Sequence, residues 1–210
     1  MTESAFVHAD CRFESIYGSA RLHCFTFGPH EEDNVLCLEV AKYEQQNPST
    51  LVRVQSACYT GEIFRASDCD CHEQLHQSLE LIHKQGGLFV YMIADGRGAG
   101  LLTKIRGLAL GDSQGLDTFD AYAALNVAPD PRTYDRVQAV LRSFNLARIN
   151  LLTNNPRKLE GVAGVGIPVE RVPLDIPPTP SSRSYLDTKR LKFGHMLNPE
   201  WFTKGATKSP

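Results

Sequence analysis

The chain has no large charge excess and no long apolar run. Its formal net charge over 210 residues is only −2, so a basic surface for nucleic acid is not expected. No apolar run approaches the roughly 20 residues of a transmembrane helix. The first 18 residues are polar and lack the charged-then-apolar order of a secretory signal. The sequence therefore predicts a cytoplasmic globular protein whose partners are neither nucleic acid nor membrane.

Disulfide bonds are not expected either, because a cytoplasmic compartment keeps thiols reduced. Three of the six cysteines are isolated, and we predict that they are buried small apolar side chains: Cys11, Cys24 and Cys37. The other three lie together in CYTGEIFRASDCDC, at Cys58, Cys69 and Cys71. This cluster is the first candidate for a functional site.

Strand and helix patterns alternate along the chain without a repeat or an obvious domain linker. Runs of β-forming residues between turn signals predict strands at 21–27, 34–43, 51–57, 87–93, 148–152 and 169–174. Apolar spacings of three and four residues predict helices at 72–85, 101–110, 137–144 and 156–163. Residues 176–184, rich in Pro and Ser, are predicted to form a mobile loop. We expect one α+β domain over residues 1–200, a flexible tail over 201–210, and a mixed, mainly antiparallel, partly barrel-like sheet with flanking helices.

Clustered thiols in a reducing compartment most often bind zinc, because thiolates are soft, anionic ligands. A structural zinc site is closed by four protein ligands, whereas a catalytic site leaves one position for water. Three cysteines fit the catalytic arrangement. His72 or His76 could also complete a structural site, or the cysteines could bind no metal at all. The C-x10-C-x-C spacing by itself leaves these alternatives open.

Two strand-to-helix junctions are candidate phosphate-binding segments, because free helix N–H groups attract anions. The segment DGRGAGL (95–101) combines three glycines with Arg97. The segment LLTNNPRK (151–158) ends a strand at Thr153, enters a helix at Pro156 and offers Lys158. Neither matches the Walker pattern, and each could be an ordinary turn. A zinc site beside two phosphate-binding segments would suit a nucleotide substrate.

A series of segments resembles the GTP cyclohydrolase II family, whose members open the imidazole ring of GTP at the start of riboflavin synthesis. The segments occur in family order: RVQSACYTG (53–61), CDCHEQL (69–75), DGRGAGLLTKIR (95–106), GLDTFDA (115–121), PDPR (129–132), LLTNNPRK (151–158), ERVPL (170–174) and YLDTKRLKFGHML (185–197). The resemblance covers most of the chain and implies the fold of that family.

The resemblance also implies roles for individual residues. Cys58, Cys69 and Cys71 fall on the family's zinc ligands, with water as the fourth ligand attacking C8 of guanine and formate leaving later. Asp130 falls on the proposed proton acceptor, and Arg132 on the residue proposed to attack the α-phosphorus and release pyrophosphate. Nucleotide-contacting positions are implied at Arg53, Ser56, Gln74, Asp95, Gly96, Arg97, Thr118, Thr153 and Lys158. Magnesium bound with the triphosphate and a homodimer are implied as well.

Simpler interpretations exist for several of these residues. Asp130 before Pro131 is typical of a helix N-cap followed by the first helical position. An always-protonated guanidinium is a poor nucleophile, so Arg132 suits phosphate binding better than covalent catalysis. Gln74 and Thr118 could be ordinary surface residues.

The sequence departs from the family at positions that concern the base and the protons. Ala57 replaces a glutamate that would pair with the guanine edge, and Leu108 replaces a tyrosine. The family's H-R-Q-E-G-R is M-I-A-D-G-R, with Met92, Ile93 and Ala94 in place of polar residues. These changes indicate a diverged paralogue. Three interpretations follow: a GTP cyclohydrolase with full or partial formate release, a ring-opening hydrolase for another modified purine or pyrimidine nucleotide, or a catalytically silent zinc and nucleotide-binding protein.

Overall fold

The computed structural model describes residues 6–41 and 49–202. The strands are β1 (Val7–Ser15), β2 (Gly18–Thr26), β3 (Asn34–Val40), β4 (Ser49–Ser56), β5 (Gly87–Met92), β6 (Arg148–Leu152) and β7 (Val169–Val172). The helices are α1 (Tyr59–Glu62), α2 (Cys71–Gln85), α3 (Leu101–Gln114), α4 (Thr118–Ala124), α5 (Asp135–Ser143), α6 (Pro156–Ala163) and α7 (Arg183–Phe193). Short 3-10 helices occupy Glu31–Asp33, Gly96–Gly98 and Pro199–Phe202.

One seven-stranded sheet organises the domain, in the order β1-β2-β3-β5-β4-β6-β7. The first half is antiparallel and the second half, from β5 to β7, is parallel. The antiparallel ladders are longer, since β1 and β2 pair along their whole lengths whereas β6 and β7 pair only from Ile149 to Leu152. The predicted α+β fold with a mixed, mainly antiparallel sheet is confirmed. The barrel-like expectation is wrong, because β1 and β7 are open edges within the described residues.

The core lies where the parallel strands receive helices on their faces. Val52, Val54 and Val90 of the central strands are fully buried, because both faces of this part of the sheet are covered. Val140 and Leu141 of α5 pack into the same cluster. The carboxyl ends of β4, β5 and β6 therefore meet at one edge of a rigid platform, which is where an α/β sheet offers a ligand site.

The first strand was not predicted from the sequence. Most residues of β1 are exposed, so the strand lacks the alternation of apolar and polar residues that marks a half-buried strand. It forms because its whole backbone pairs with β2. Among the isolated cysteines, Cys37 is buried as predicted, Cys24 is half-buried, and Cys11 on β1 is exposed, which contradicts the prediction for Cys11.

Three of the described helices were also missed: the four-residue α1, α4 and α7. Helix α4 is short and begins because the Asp117 carboxylate accepts hydrogen bonds from two helix N–H groups. Helix α7 starts at Arg183, so the loop predicted for 176–184 ends two residues early. Trp201 and Phe202 belong to a 3-10 helix, and the rest of the predicted tail, 203–210, lies outside the described residues. None of the described helices is long and apolar enough to cross a membrane.

Candidate active site

The three clustered cysteines converge at the carboxyl end of β4. Cys58 immediately precedes α1, Cys71 is the first residue of α2, and the Sγ atoms of both and of Cys69 lie within 4.8 Å of one another. Gly61 of α1 makes this approach possible. A Cβ atom at that position would lie 2.8 Å from the Sγ atom of Cys69 and 3.3 Å from that of Cys58.

Without a metal ion, the surroundings favour the thiolate form of Cys58 alone, because hydrogen bonding with Cys58 raises the pKa of Cys69 and of Cys71. Hydrogen bonds from the other two thiols lower the pKa of Cys58, and the charge of Lys104 acts in the same direction. The Lys104 ammonium lies 3.2 Å from the Cys58 Sγ atom and donates to the buried Asp95 carboxylate at 2.9 Å. Three converging sulfur ligands with a glycine opposite fit a zinc ion.

A fourth protein ligand is not part of this cluster. Within the described residues, the metal-binding group at this place contains the three thiols and no His, Asp or Glu. The Nε2 atom of His72 instead lies 2.6 Å from the guanidinium of Arg65, and His76 pairs with Glu80. This geometry favours the three-ligand interpretation over a site closed by either histidine.

A cavity of about 490 Å³ opens beside the thiols. Along with the three cysteines, it is lined by every nucleotide-contacting residue that the resemblance implied: Arg53, Ser56, Gln74, Asp95, Gly96, Arg97, Thr118, Thr153 and Lys158. Arg132 also lines the cavity. Sequence segments more than 100 residues apart thus meet around one space, at the edge where β4, β5 and β6 end.

The cavity wall carries a cluster of buried cations, which we call the cationic wall: Arg53, Arg132, Lys158 and Lys189. Burial lowers the pKa of Arg53 to about 10. Burial is also the main reason why the pKa of Lys158 lies well below its usual value, and the other three cations add to that effect. Such a concentration of positive charge favours a multiply charged anion in the cavity.

The members of the cationic wall are held by specific partners. Arg53 donates to the Leu152 carbonyl at 2.9 Å and to the Gln74 Oε1 atom at 2.6 Å, so Gln74 positions a cation. Lys158 donates to the Val54 carbonyl at 2.8 Å. Lys189 of α7 donates to Asp70 at 2.6 Å, and this carboxylate raises the Lys189 pKa despite burial.

Asp130 and Arg132 form a bidentate ion pair. The Arg132 guanidinium donates to the two carboxylate oxygens at 2.7 and 2.6 Å and to the Ser56 Oγ atom at 3.2 Å. Asp130 lies behind Arg132 and does not line the cavity. Although burial opposes it, Arg132 and Arg157 keep the Asp130 pKa low.

The expectation that Asp130 caps a helix is wrong. Helix α5 begins at Asp135, with Tyr134 at the N-cap position, because the residues after Pro131 remain non-helical. Asp130 instead accepts a hydrogen bond from the backbone N–H of Arg132. The carboxylate therefore serves the geometry of the arginine side chain rather than a helix end.

Arg97 presents a cation from a strained turn. Its φ of +56° lies in the left-handed region, and its guanidinium stacks 4.0 Å above the Phe193 ring. One of its terminal nitrogens, Nη1, is buried without a hydrogen-bond partner among the described residues. A buried, unsatisfied guanidinium donor at a cavity wall favours an anionic ligand. The predicted helix start at Pro156 is confirmed nearby, with Asn155 as N-cap.

Several cavity residues were not singled out from the sequence. Helix α7 and the turn after it contribute Tyr185, Lys189 and His195. The pKa of His195 is lowered to about 2, mainly by burial and further by the charges of nearby cations. These residues lie in the segment YLDTKRLKFGHML, which carried part of the resemblance and could have identified them.

Tyr122 adds a buried hydroxyl that donates to the Gly96 carbonyl at 3.1 Å. Its ring packs against Gly107, where a Cβ atom would lie 3.1 Å away.

The departures from the family fall into two groups. Ala57 and Leu108 line the cavity, and Leu108 is 43% exposed. Met92 lies in the hydrophobic core with Ala94 packed against it, and neither these two nor Ile93 line the cavity. Of the changed positions, Ala57 therefore bears on recognition of the base and Leu108 on proton transfer.

The geometry defines a class of protein in which a trio of thiols adjoins a cationic, nucleotide-sized cavity. A family model described as GTP cyclohydrolase II matches residues 6–173. The chain belongs to the GTP cyclohydrolase II family.

Curated relatives carry the name riboflavin biosynthesis protein RibBA. The chain is 37% identical over 190 residues to the Staphylococcus aureus (strain COL) protein, covering 90% of this chain and 47% of that one. It is 42% identical to the Cytophaga hutchinsonii protein over 164 residues, 77% of this chain and 40% of that one. The Aquifex aeolicus protein is 38% identical over 192 residues, 90% and 47% of the two chains. The chain spans about half the length of these relatives.

A solved structure also matches. It is a crystal structure of RibBX, a two-domain 3,4-dihydroxy-2-butanone 4-phosphate synthase from A. baumannii. The identity is 18% and the TM-score 0.48, over 83% of this chain and 42% of that chain.

Proposed function

We propose that the protein is a zinc-dependent cyclohydrolase that opens the imidazole ring of GTP or of a closely related purine nucleotide. The observation that carries this proposal is the meeting of three converging thiols and four buried cations around one cavity of about 490 Å³. A metal site alone would fit many hydrolases. The cationic wall beside it selects a substrate with several negative charges, as a nucleoside triphosphate has.

Cys58, Cys69 and Cys71 would hold the zinc ion. Zinc bound there would supply a Lewis acid that makes a water molecule nucleophilic at neutral pH. Lys104, paired with Asp95 and in contact with the Cys58 Sγ atom, would offset the negative charge of three thiolates. The same ammonium group is placed to hold an oxygen or nitrogen of the base near the thiols.

The cationic wall and Arg97 would bind the triphosphate. Arg132 presents a guanidinium group in a fixed orientation, because it donates two hydrogen bonds to Asp130. The unpaired N–H donor of Arg97 would bind a phosphate oxygen. Thr153 and the amino-terminal end of α6 add neutral donors, and Thr118 does so from α4. Magnesium would enter with the triphosphate. In this arrangement Arg132 acts by binding phosphate, and Asp130 acts by positioning Arg132.

Proton transfer would fall to hydroxyl and carboxyl groups around the base. Leu108 can neither donate nor accept a proton, so an incomplete reaction that leaves the formyl group on the product is expected. Tyr122, which the sequence comparison did not identify, offers one hydroxyl at the cavity wall. Its only described partner is the Gly96 carbonyl, so the oxygen lone pairs remain open for a substrate or water.

A second candidate substrate is a different ring-containing nucleotide. It is favoured by Ala57, which lines the cavity but offers no acceptor for the donors of a guanine edge. A nucleotide without those donors, such as a modified purine or a pyrimidine, would lose nothing there. This alternative keeps the metal and phosphate parts of the site and makes the chain a diverged paralogue.

The test is to incubate the zinc-loaded protein with a panel of nucleoside triphosphates and to identify the products by mass spectrometry. Ring-opened GTP, with or without formate release, supports the main proposal, and ring opening of another base supports the second. A Cys69→Ser variant is the matched control and should lose activity on every substrate. Absence of any product, with zinc and nucleotide both bound, would overturn both and indicate a catalytically silent protein.

The homodimer stays a prediction. Helix α3 exposes Leu101, Leu102 and Ile105 beside the cavity, and Phe64 is exposed after α1. We propose that a second copy of the chain covers the exposed apolar side chains of α3. Light scattering of Leu102→Glu against the unaltered protein tests it, and a monomeric unaltered protein would contradict it.

A further inference from the structure

A second group of metal-binding side chains lies on the sheet, apart from the thiols and the cavity. His8 and Asp10 are two residues apart on β1, so both side chains lie on the same face of the sheet. His23 of β2 pairs directly opposite Asp10 in the antiparallel ladder. The ligand atoms of the three side chains lie within 4.8 Å of one another.

The two imidazoles already hold the geometry of neighbouring ligands. The Nε2 atom of His8 lies 3.0 Å from the Nδ1 atom of His23, and the rings stack with an interplanar angle of 15°. Tetrahedral nitrogen ligands about 2.0–2.1 Å from zinc lie only slightly farther apart than this. A small outward shift of the His8 side chain, which is 35% exposed, would admit an ion between the nitrogens.

Glu39 fixes which nitrogen of His23 is free to bind. The Nε2 atom of His23 lies 3.1 Å from the Glu39 carboxylate and donates its proton to it, which leaves the lone pair on Nδ1, toward His8. A carboxylate that orients a histidine through its other ring nitrogen is the usual outer partner of a metal ligand. The His23 side chain is only 7% exposed, so its orientation is locked.

The neighbouring charges permit a cation. Asp10 and Glu39 provide two negative charges, and Arg21 provides one positive charge by pairing with Asp10. The Arg21 side chain is 50% exposed, so it can turn toward solvent and free the Asp10 carboxylate for a metal ion. Arg12 lies two residue pairs farther along the ladder than Asp10, opposite Arg21, and is exposed.

We propose that His8, Asp10 and His23 bind a divalent transition-metal ion at a second site that fastens the edge strand β1 to β2. Two imidazoles and a carboxylate suit zinc, cobalt or nickel better than magnesium or calcium, which prefer all-oxygen sites. The ion would compensate for the sparse packing of β1, most of whose side chains are exposed. Unlike the thiol site, this one requires neither a reducing compartment nor the nucleotide cavity.

The test is the number of ions bound by the untagged full chain. Protein stripped by a chelator and titrated with Co²⁺ under reducing conditions should bind two ions. Only one of them should produce the thiolate-to-metal charge-transfer absorption. His8→Gln and Asp10→Asn should each bind one ion and keep that absorption. Cys69→Ser should still bind the Co²⁺ ion that produces no charge-transfer absorption.

A stability measurement provides the second readout, and His30→Gln, which changes an exposed histidine outside the cluster, is the matched control. With the thiol site saturated, further Zn²⁺ should raise the Tm of the unaltered protein and of His30→Gln but not of His8→Gln. Binding of a single ion by the unaltered protein would overturn the proposal and leave a metal-free His–His–Glu hydrogen-bonded chain. So would a second ion that survives both His8→Gln and Asp10→Asn. Neither result depends on whether the cavity has cyclohydrolase activity.

Discussion

Replacing Lys158 by Met should stabilise the nucleotide-free protein while weakening nucleotide binding. Lys158 of α6 is buried and has no carboxylate partner among its described contacts; its ammonium donates only to the Val54 carbonyl. Desolvation, with added repulsion from Arg53, Arg132 and Lys189, lowers its pKa well below the usual value. The folded protein without ligand therefore disfavours the charged form of Lys158.

The expected gain follows from two opposing contributions. Replacing buried charges by apolar side chains of similar volume is often neutral or stabilising by about 1–4 kcal/mol. Leaving the Val54 carbonyl without its donor costs about 1 kcal/mol. The free energy of unfolding should therefore rise by up to about 3 kcal/mol. Each kcal/mol corresponds to ~2–4 °C in Tm in a chain of this size.

The pH dependence gives this prediction a distinctive sign. Because the Lys158 pKa is lower in the folded state, the unfolded chain binds more protons between the two pKa values, and wild-type stability rises with pH across that window. The advantage of Lys158→Met should be complete below the folded-state pKa and should shrink as pH approaches the ordinary lysine value of 10.5. Loss of one cation should meanwhile weaken nucleotide binding about 10-fold or more, whatever the base.

The assay compares thermal unfolding of the zinc-loaded proteins at several pH values and nucleotide affinity by calorimetry. Lys84→Met is the matched control, because Lys84 lies exposed in α2, and it should change stability by no more than about 0.5 kcal/mol. Equal or lower stability of Lys158→Met at neutral pH would refute the argument that the cavity stores charge repulsion. Unchanged nucleotide affinity would refute the argument that this charge serves the ligand.

Three further outcomes are expected. Gly61→Ala should weaken zinc binding, because the added Cβ atom would lie 2.8 Å from a thiol sulfur. Overpacking of about 1–3 kcal/mol corresponds to a loss of about 5- to 150-fold in affinity. Competition with a chelator measures this affinity, and an unaltered value would contradict the prediction. Leu108→Tyr should raise formate release relative to ring opening if GTP is the substrate, and stoichiometric formate from the unaltered protein would show that Leu108 limits nothing. Arg132→Lys should lower the affinity for all nucleoside triphosphates by a similar factor, about 10-fold or more, because lysine cannot keep both hydrogen bonds to Asp130. Calorimetry with triphosphates of different bases tests this, and a loss that depends on the base would argue against a role in phosphate binding.

Local pattern was sufficient for most of the strands and the longer central helices and for grouping the thiols. The apolar spacing of Leu75, Leu79 and Ile82 predicted α2, which the structure has as Cys71–Gln85, and the strand 148–152 was predicted to the residue. Cys58, Cys69 and Cys71 could be grouped because they are near in sequence and share one chemistry. Such signals are local, so they are present in the chain before it folds.

The missing elements had weak or misleading local signals. Strand β1 is exposed on both faces and forms through pairing with β2, which no alternation in its own sequence reveals. Asp130-Pro131 has the local signature of a helix start, but the Arg132 guanidinium occupies the carboxylate and the helix begins at Asp135. Backbone pairing with β2 decided the first case, and an ion pair between residues two positions apart decided the second.

The sequence by itself determined the composition of the candidate site: three clustered thiols, two candidate phosphate-binding segments and an alanine at position 57. Only the tertiary structure decided that Asp130 stands behind Arg132 and that Lys189 from α7 joins the cationic wall. It alone also placed His23 opposite Asp10 with Glu39 behind it. The physical reason is that burial, charge repulsion and ligand geometry depend on distances between groups far apart in the chain, and strand register and helix packing fix those distances.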